Sequence, residues 1–492
     1  MIKNLLFVSL LVGGSMSAFA EYKTAGDGTA YSLESLSQIE GSGVVKDGSV
    51  FTLSDDVTVA EGDIFNVDAG ATIKMATGIT LRIEGTANFE APENQRVLIT
   101  RADETAEPKG VYVQPETEGT AFKNIDFEYA ALRSYGSKGL TVDNCTFRYA
   151  NGRINSAGAL ALGTSGACFT VTNCTFEYNT VPAIGGGANI ACGLTVDNCT
   201  FVDNNTSNTN KPQINVTVGG DNDIKILNST ITGAERTKVG GISVGNMLSL
   251  AGANNALIEN CNITKNRYGI TGIGPMNLVI KNNTLIDNRY DPSPMSGGSG
   301  LSLSTLTNST VSGNHIESHL WGITLIKVAG ANLGEVGNAD SPGNNVFKDN
   351  GNDGSVYDTS HPYDLYNNST ATVYAQNNVW SVDEQTAELI ETVIFHKNDD
   401  NNLGEVIYMP AGDPSSIDNI SDESGKPYVA NGLLVVPAVE TGAVEVYTID
   451  GKMVKRLPVV DYSADLTDLA PASVYVLCVK AEGYNASLKY RN

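Results

Sequence analysis

Asn144-Cys145-Thr146-Phe147, Asn173-Cys174-Thr175-Phe176 and Asn198-Cys199-Thr200-Phe201 repeat one four-residue phrase. Variants follow at Asn228-Ser229-Thr230-Ile231, Asn260-Cys261-Asn262-Ile263, Asn282-Asn283-Thr284-Leu285 and Asn308-Ser309-Thr310-Val311. Successive Asn residues stand 29, 25, 30, 32, 22 and 26 positions apart, the band of stacked solenoid repeats. Stretches such as "GLTVDN" and "LVIKN" lead into the phrase and alternate with the period of a strand. No amphipathic helix fits inside a repeat, whereas one coil of two or three short strands does. Asn suits the corner between strands, because it tolerates left-handed backbone and its amide both donates and accepts.

This arrangement resembles the right-handed parallel β-helix of the pectate-lyase type. The resemblance implies a hydrogen-bonded ladder of turn residues, here Asn144, Asn173, Asn198, Asn228, Asn260, Asn282 and Asn308. The expected fold class is all-β: a right-handed parallel β-helix solenoid followed by a small C-terminal β-sandwich. A scaffold of this kind hosts many activities, so function has to be read from its surface.

The 492 residues carry 31 Lys+Arg against 55 Asp+Glu, a formal net charge of −24. That balance argues against nucleic acid as a partner and makes an acidic ligand depend on a local basic patch or on Ca²⁺. Residues 1–20 read as a signal peptide: Lys3, the apolar run "LLFVSLLVGG" and the small-residue site Ala18-Phe19-Ala20. No later stretch is long and apolar enough to span a membrane. Residues 21–50 are expected to cap the open end of the solenoid, and 51–410 to form it, with roughly 13 coils. Residues 411–428 read as a polar linker and 429–492 as the C-terminal β-sandwich. Asp450-Gly451 there marks a two-residue hairpin turn. With Val446-Tyr447, Leu469-Ala470-Pro471 before Val474-Tyr475-Val476, and the basic end Lys489–Arg491, the tail resembles the C-terminal sorting domain of Bacteroidetes type IX secretion substrates. Ser473 departs from that pattern, which usually has Gly before the Val-Tyr pair. The resemblance implies export to the outer surface and recognition by the secretion machinery.

Cys145, Cys174, Cys199 and Cys261 share one column with Ser229, Asn283 and Ser309. A buried thiol stack is the expectation there, with disulfides the alternative and no His at hand for a metal site. Catalysis in enzymes resembling this fold sits on the first strand of each coil. That strand is expected at "GALALG", "GISVG", "GITGI", "GLSLS" and "GITLI", where Ala161, Ser243, Thr271, Ser302 and Thr324 face outward. None of these is an acid or a base, so the face lacks the carboxylates or basic groups that glycan cleavage needs.

A different column holds the candidate site. Past a second Asn series (Asn179, Asn204, Asn266, Asn288, Asn314 and Asn350), the next residues include Arg267, Arg289 and His315. If the coils stack in register these three span roughly 10 Å, with Tyr268 and Tyr290 beside them and Trp321 in the next turn. Guanidiniums grip a sugar carboxylate and aromatic rings stack on the sugar. The competing reading is a solvated edge in which Arg pairs with Asp. The leading expectation is a secreted or cell-surface, monomeric β-helix that binds an extracellular polysaccharide or host glycan, or acts as an adhesin, without a recognisable catalytic constellation. The alternatives are a polysaccharide lyase or glycoside hydrolase acting on acidic polysaccharide, and a structural spacer. No cofactor is implied; Ca²⁺ stays open.

Overall fold

A computed structural model describes residues 21–413 except 117–118, 152–156 and 187, and residues 427–491 except 431–432, 437–438, 449–451, 461, 471–473 and 482–483. The signal segment 1–20, most of the linker, the Asp450-Gly451 turn and Ser473 lie outside the described residues. The chain divides into two compact units, Met1–Asp413 and Pro414–Asn492.

In the first unit, short strands stack into three long sheets of 14, 14 and 13 strands. Sheet I runs from Tyr22–Lys23 to Ile394–Phe395, sheet II from Ala30–Tyr31 to Val406–Ile407, and sheet III from Val44–Asp47 to Val346–Lys348. As far as Val346–Lys348 each coil visits sheets I, II and III in turn, and the ladders from coil to coil are parallel; the antiparallel strand pairs are two hairpins, Val44–Asp47/Val50–Leu53 and Gly351–Asn352/Tyr357–Pro362. The unit is a parallel β-helix. Coiling begins at Tyr22, which pairs with Val57, so the segment 21–50 builds the first coil as well as closing it. Helix α1 (Leu33–Leu36), capped by Ser32 and Ser35, closes that end by burying Leu33 and Leu36.

The corner between sheets II and III is where the repeated Asn works. Asn124, Asn144, Asn173, Asn198, Asn228, Asn260, Asn282, Asn344 and Asn377 all have φ between 48° and 61°, the left-handed region that Asn tolerates. Side-chain links run from coil to coil, Asn144 Nδ2 to Asn124 Oδ1 at 2.6 Å and Asn198 Nδ2 to Asn173 Oδ1 at 2.7 Å. Asp143 and Asp197, one position before the corner, accept from Asn173 and Asn228. Asn308 is not in this row. Its segment, Asn308–Ser312, is a sheet II strand paired with Asn277–Lys281, and the corner of that coil is Gly313 with φ +67°. Glycine takes the left-handed turn without an Asn, so the marker is missing there, while Asn-Ser-Thr-Val imitates it five residues upstream.

One position past the corner, a buried column runs along the solenoid. The Cys145 N–H donates to Cys174 Sγ, that of Cys174 to Cys199 Sγ, and that of Cys199 to Ser229 Oγ. Towards the C-terminal end amides replace thiols: Cys261 N–H donates to Asn283 Oδ1, and the pattern repeats through Asn314, Asn345 and Asn378. All seven cysteines are free. Beside this column Phe127, Phe147, Phe176 and Phe201 stack nearly parallel at 4.6, 4.7 and 5.1 Å.

The second unit is antiparallel β. Seven strands from Tyr428–Ala430 to Tyr484–Arg491 hydrogen-bond in one continuous order. They enclose a core of their own that includes Leu434, Val444, Val446, Leu466, Leu477 and Val479.

Candidate functional site

Parallel, in-register stacking turns each outward position of a strand into a row along its sheet. On sheet I one row passes through Ala161, Gly185, Asn215, Ser243, Thr271, Ser302 and Thr324. Their inward neighbours, such as Leu160, Ile242, Ile270, Leu301 and Ile323, are fully buried. From Asn215 to Thr324 the row is therefore hydroxyl and amide, with no ionisable side chain in that stretch.

The row ends differently on each side. At the C-terminal end it continues through Tyr366 and Phe395, whose rings stack at 4.8 Å and 14°. Trp321 packs 4.7 Å from Tyr363 and 5.0 Å from Tyr366, and its indole N–H donates to the Pro294 carbonyl at 2.9 Å. All four aromatic side chains are half-buried. At the N-terminal end the row holds Arg82, Tyr112 and Arg133.

Of the residues expected to form the site, the structure joins some and separates others. Arg267 bonds Asp291 through Nε, Asn210 Oδ1 through Nη1 at 2.6 Å and the Ser296 carbonyl through Nη2 at 3.2 Å. Its fork thus holds down the loop 287–298, whose Pro294 meets Trp321. Tyr268 lies flat on Gly240, where an added Cβ would sit 2.1 Å from the ring, and burial pushes its phenol up to about 12. Arg289 and Tyr290 converge on Asp287 at 2.9 and 2.8 Å. Burial and the Asp287 carboxylate raise the Tyr290 phenol. The Arg289 guanidinium also lies 3.9 Å over the Tyr357 ring.

The expected alignment of His315 with Arg267 and Arg289 does not form. His315 is on sheet III, paired with Thr284 and Val346, and its Nε2 meets Glu317 at 2.7 Å. His315 and Lys348 together hold the Glu317 carboxyl down at about 2. The cause is the Gly313 corner, which stands five residues past Asn308 and shifts everything after it. It also displaced the second Asn series, since the true successor of Asn288 is His319, not Asn314. The Asn288 N–H donates to His319 Nδ1, and the His319 N–H donates to Asn350 Oδ1.

Sequence reasoning missed Tyr363, Tyr366 and Phe395. No phrase marks their strands, and Leu365–Asn368 pairs with Trp321–Ile326 across a long insertion. Arg82, Tyr112 and Arg133 were readable in principle, because "LRI", "VYV" and "LRS" alternate as strands. They precede the clear copies of the phrase. Among the described residues no group of three or more His, Cys, Asp or Glu side chains converges to hold a metal ion, and no helix is long and apolar enough to cross a membrane.

No family model matches the chain, and no curated protein sequence matches it. Among solved structures, the crystal structure of the periplasmic alginate epimerase AlgG aligns over 77% of this chain and 83% of its own, with a TM-score of 0.43 and 12% identity. A double mutant of that epimerase aligns over 78% and 83%, with a TM-score of 0.45 and 11% identity. The assignment as a parallel β-helix rests on the strand pairing along the three sheets.

Proposed function

We propose that this protein is an exported glycan-binding β-helix that holds a polysaccharide chain along the outer face of sheet I without cutting it. The observation that carries this reading is the aromatic strip of Trp321, Tyr363, Tyr366 and Phe395 at the end of a row of hydroxyl and amide side chains. Aromatic faces take the C–H faces of sugar rings, and an amphipathic ring tip or a Thr, Ser or Asn side chain takes the hydroxyls. Cleavage would need an acid and a base within reach of one glycosidic bond. The expected Arg267, Tyr268, Arg289 and Tyr290 edge supports the grip from below, through the loop that seats Trp321, rather than by touching sugar. The signal peptide and the sorting-domain-like tail fit delivery to the cell surface by the type IX route, with the chain acting as a monomer.

The test is retention of the mature protein on immobilised neutral and acidic polysaccharides, with and without Ca²⁺, while following the ultraviolet absorbance of unsaturated sugars and the release of reducing ends. The expected result is retention without product, reduced at least tenfold in a W321A/Y366A variant of unchanged circular dichroism. New absorbance or reducing ends would make the protein a lyase or hydrolase. Absence of any retention would leave the spacer.

A further inference from the structure

Arg82, Tyr112 and Arg133 occupy successive strands of sheet I in one row. Strand spacing sets the two arginine positions roughly 9–10 Å apart, with the tyrosine between them. The Arg82 guanidinium lies 5.7 Å from the Tyr112 ring centre and that of Arg133 lies 4.8 Å from the ring of Tyr135. The two tyrosines meet edge to face at 5.7 Å. Together they form a wall along which two cations are displayed on the outer face.

Two observations bear on these arginines, the first shared with Arg101, which bonds a carbonyl and a ring but no carboxylate. In so acidic a chain, Arg96, Arg148, Arg236, Arg267 and Arg289 each pair with a carboxylate. Among the described residues Arg82 and Arg133 pair with none, and Glu84, the acid two residues from Arg82, is held by Lys23 at 2.6 Å. Moreover, Arg133 Nε is buried and has no hydrogen-bond partner. A buried donor on a cation is unfavourable unless something accepts from it, and the natural complement of a guanidinium is an oxyanion.

We propose that Arg82, Tyr112 and Arg133 form a binding site for an oxyanion, a carboxylate or a sulfate ester, carried on a ligand. The half-buried Arg82 and Arg133 side chains supply N–H donors and charge from either side of Tyr112, and the Tyr112 and Tyr135 rings bound the site. It stands at the opposite end of the face from the aromatic strip and does not depend on the strip binding a neutral glycan.

The experiment is calorimetric titration of the full mature chain in low salt with four probes: a uronic-acid tetrasaccharide, its methyl ester, a sulfated neutral tetrasaccharide and inorganic sulfate. The expected result is binding of an anionic tetrasaccharide, at least tenfold weaker in R82Q/R133Q and weakened by 0.5 M salt. The methyl ester does not bind there, and R82Q/R133Q lowers the affinity by the same factor in a W321A/Y366A background. Preference between the uronate and the sulfated probe identifies the oxyanion. R133K, which keeps the charge and removes the fork, serves as the second variant should the double variant lose its fold, and is expected to bind at least fivefold more weakly. The proposal is overturned by equal affinity in folded R82Q/R133Q or R133K, by methyl-ester binding as tight as that of the acid, or by no binding of any anionic probe at millimolar concentration.

Discussion

His319 makes the solenoid sensitive to acid at one coil. The imidazole is fully buried; Nδ1 accepts from the Asn288 N–H at 3.1 Å, so Nε2 carries the proton and donates to the Leu285 carbonyl at 3.0 Å. Burial, aided by the Arg289 charge, pushes its pKa from 6.5 down to about 3. The unfolded chain therefore binds a proton between those values that the folded chain refuses. Stability is full above about pH 6.5 and falls as the pH drops towards 3. At pH 4.5 the two units below the unfolded value correspond to about 2.7 kcal/mol. The neighbouring coils carry Asn288 and Asn350 in the same place, so H319N keeps the column and removes the titration. Asp364, fully buried and joined to the column through Asn350, is raised to about 6. It works in the opposite direction, but equally in both proteins. Urea unfolding at pH 7.0 and 4.5, followed by the fluorescence of Trp321 and Trp380, should show wild type losing about 2.7 kcal/mol more than H319N over that interval. Any smaller size of Asn is pH-independent and cancels. Equal pH increments, within about 0.5 kcal/mol, would refute a neutral buried imidazole.

Asn314→Leu leaves the Asn283 N–H and the Ile280 carbonyl without partners and should destabilise by at least about 3 kcal/mol in urea. Asn308→Ser, on an exposed strand position, should change stability by less than about 0.5 kcal/mol. Thiol labelling of the native protein should mark exposed Cys168 first and half-buried Cys478 more slowly. Cys192 and Cys261, both raised to about 12 by burial, and the stacked Cys145, Cys174 and Cys199 should react only after unfolding. Arg267→Ala strands the fully buried Asp291 carboxylate at about 3–5 kcal/mol; adding Asp291→Asn should recover much of that, read as a return of the urea midpoint.

The corner between sheets II and III was legible because Asn, which tolerates φ near +55°, takes it nine times among the described residues, whereas the corner after sheet III falls in turn on Tyr129, Tyr149, Tyr178, Asp203, Lys265, Asp287 and Ser318 and leaves no mark. Where Gly313 took the turn, the mark vanished and the frame slipped by five residues, carrying Asn308, Asn314 and His315 with it. Burial patterns were legible for the same local reason, since alternation puts Leu160, Ile242, Ile270 and Ile323 inside whichever strand lies next to them.

What the sequence determined by itself is the repeat, the strand period, the corner and the inward face, all properties of residues within a few positions of one another. Only the tertiary structure decided which side chains become neighbours on the outside. Tyr366 meets Trp321 across 45 residues and stacks on Phe395 across 29 more. Arg82 reaches Arg133 only through the register of two strand pairings. Register depends on how many residues each loop holds between one coil and the next. Those loops vary in length, so the surface rows exist only once the coils have stacked.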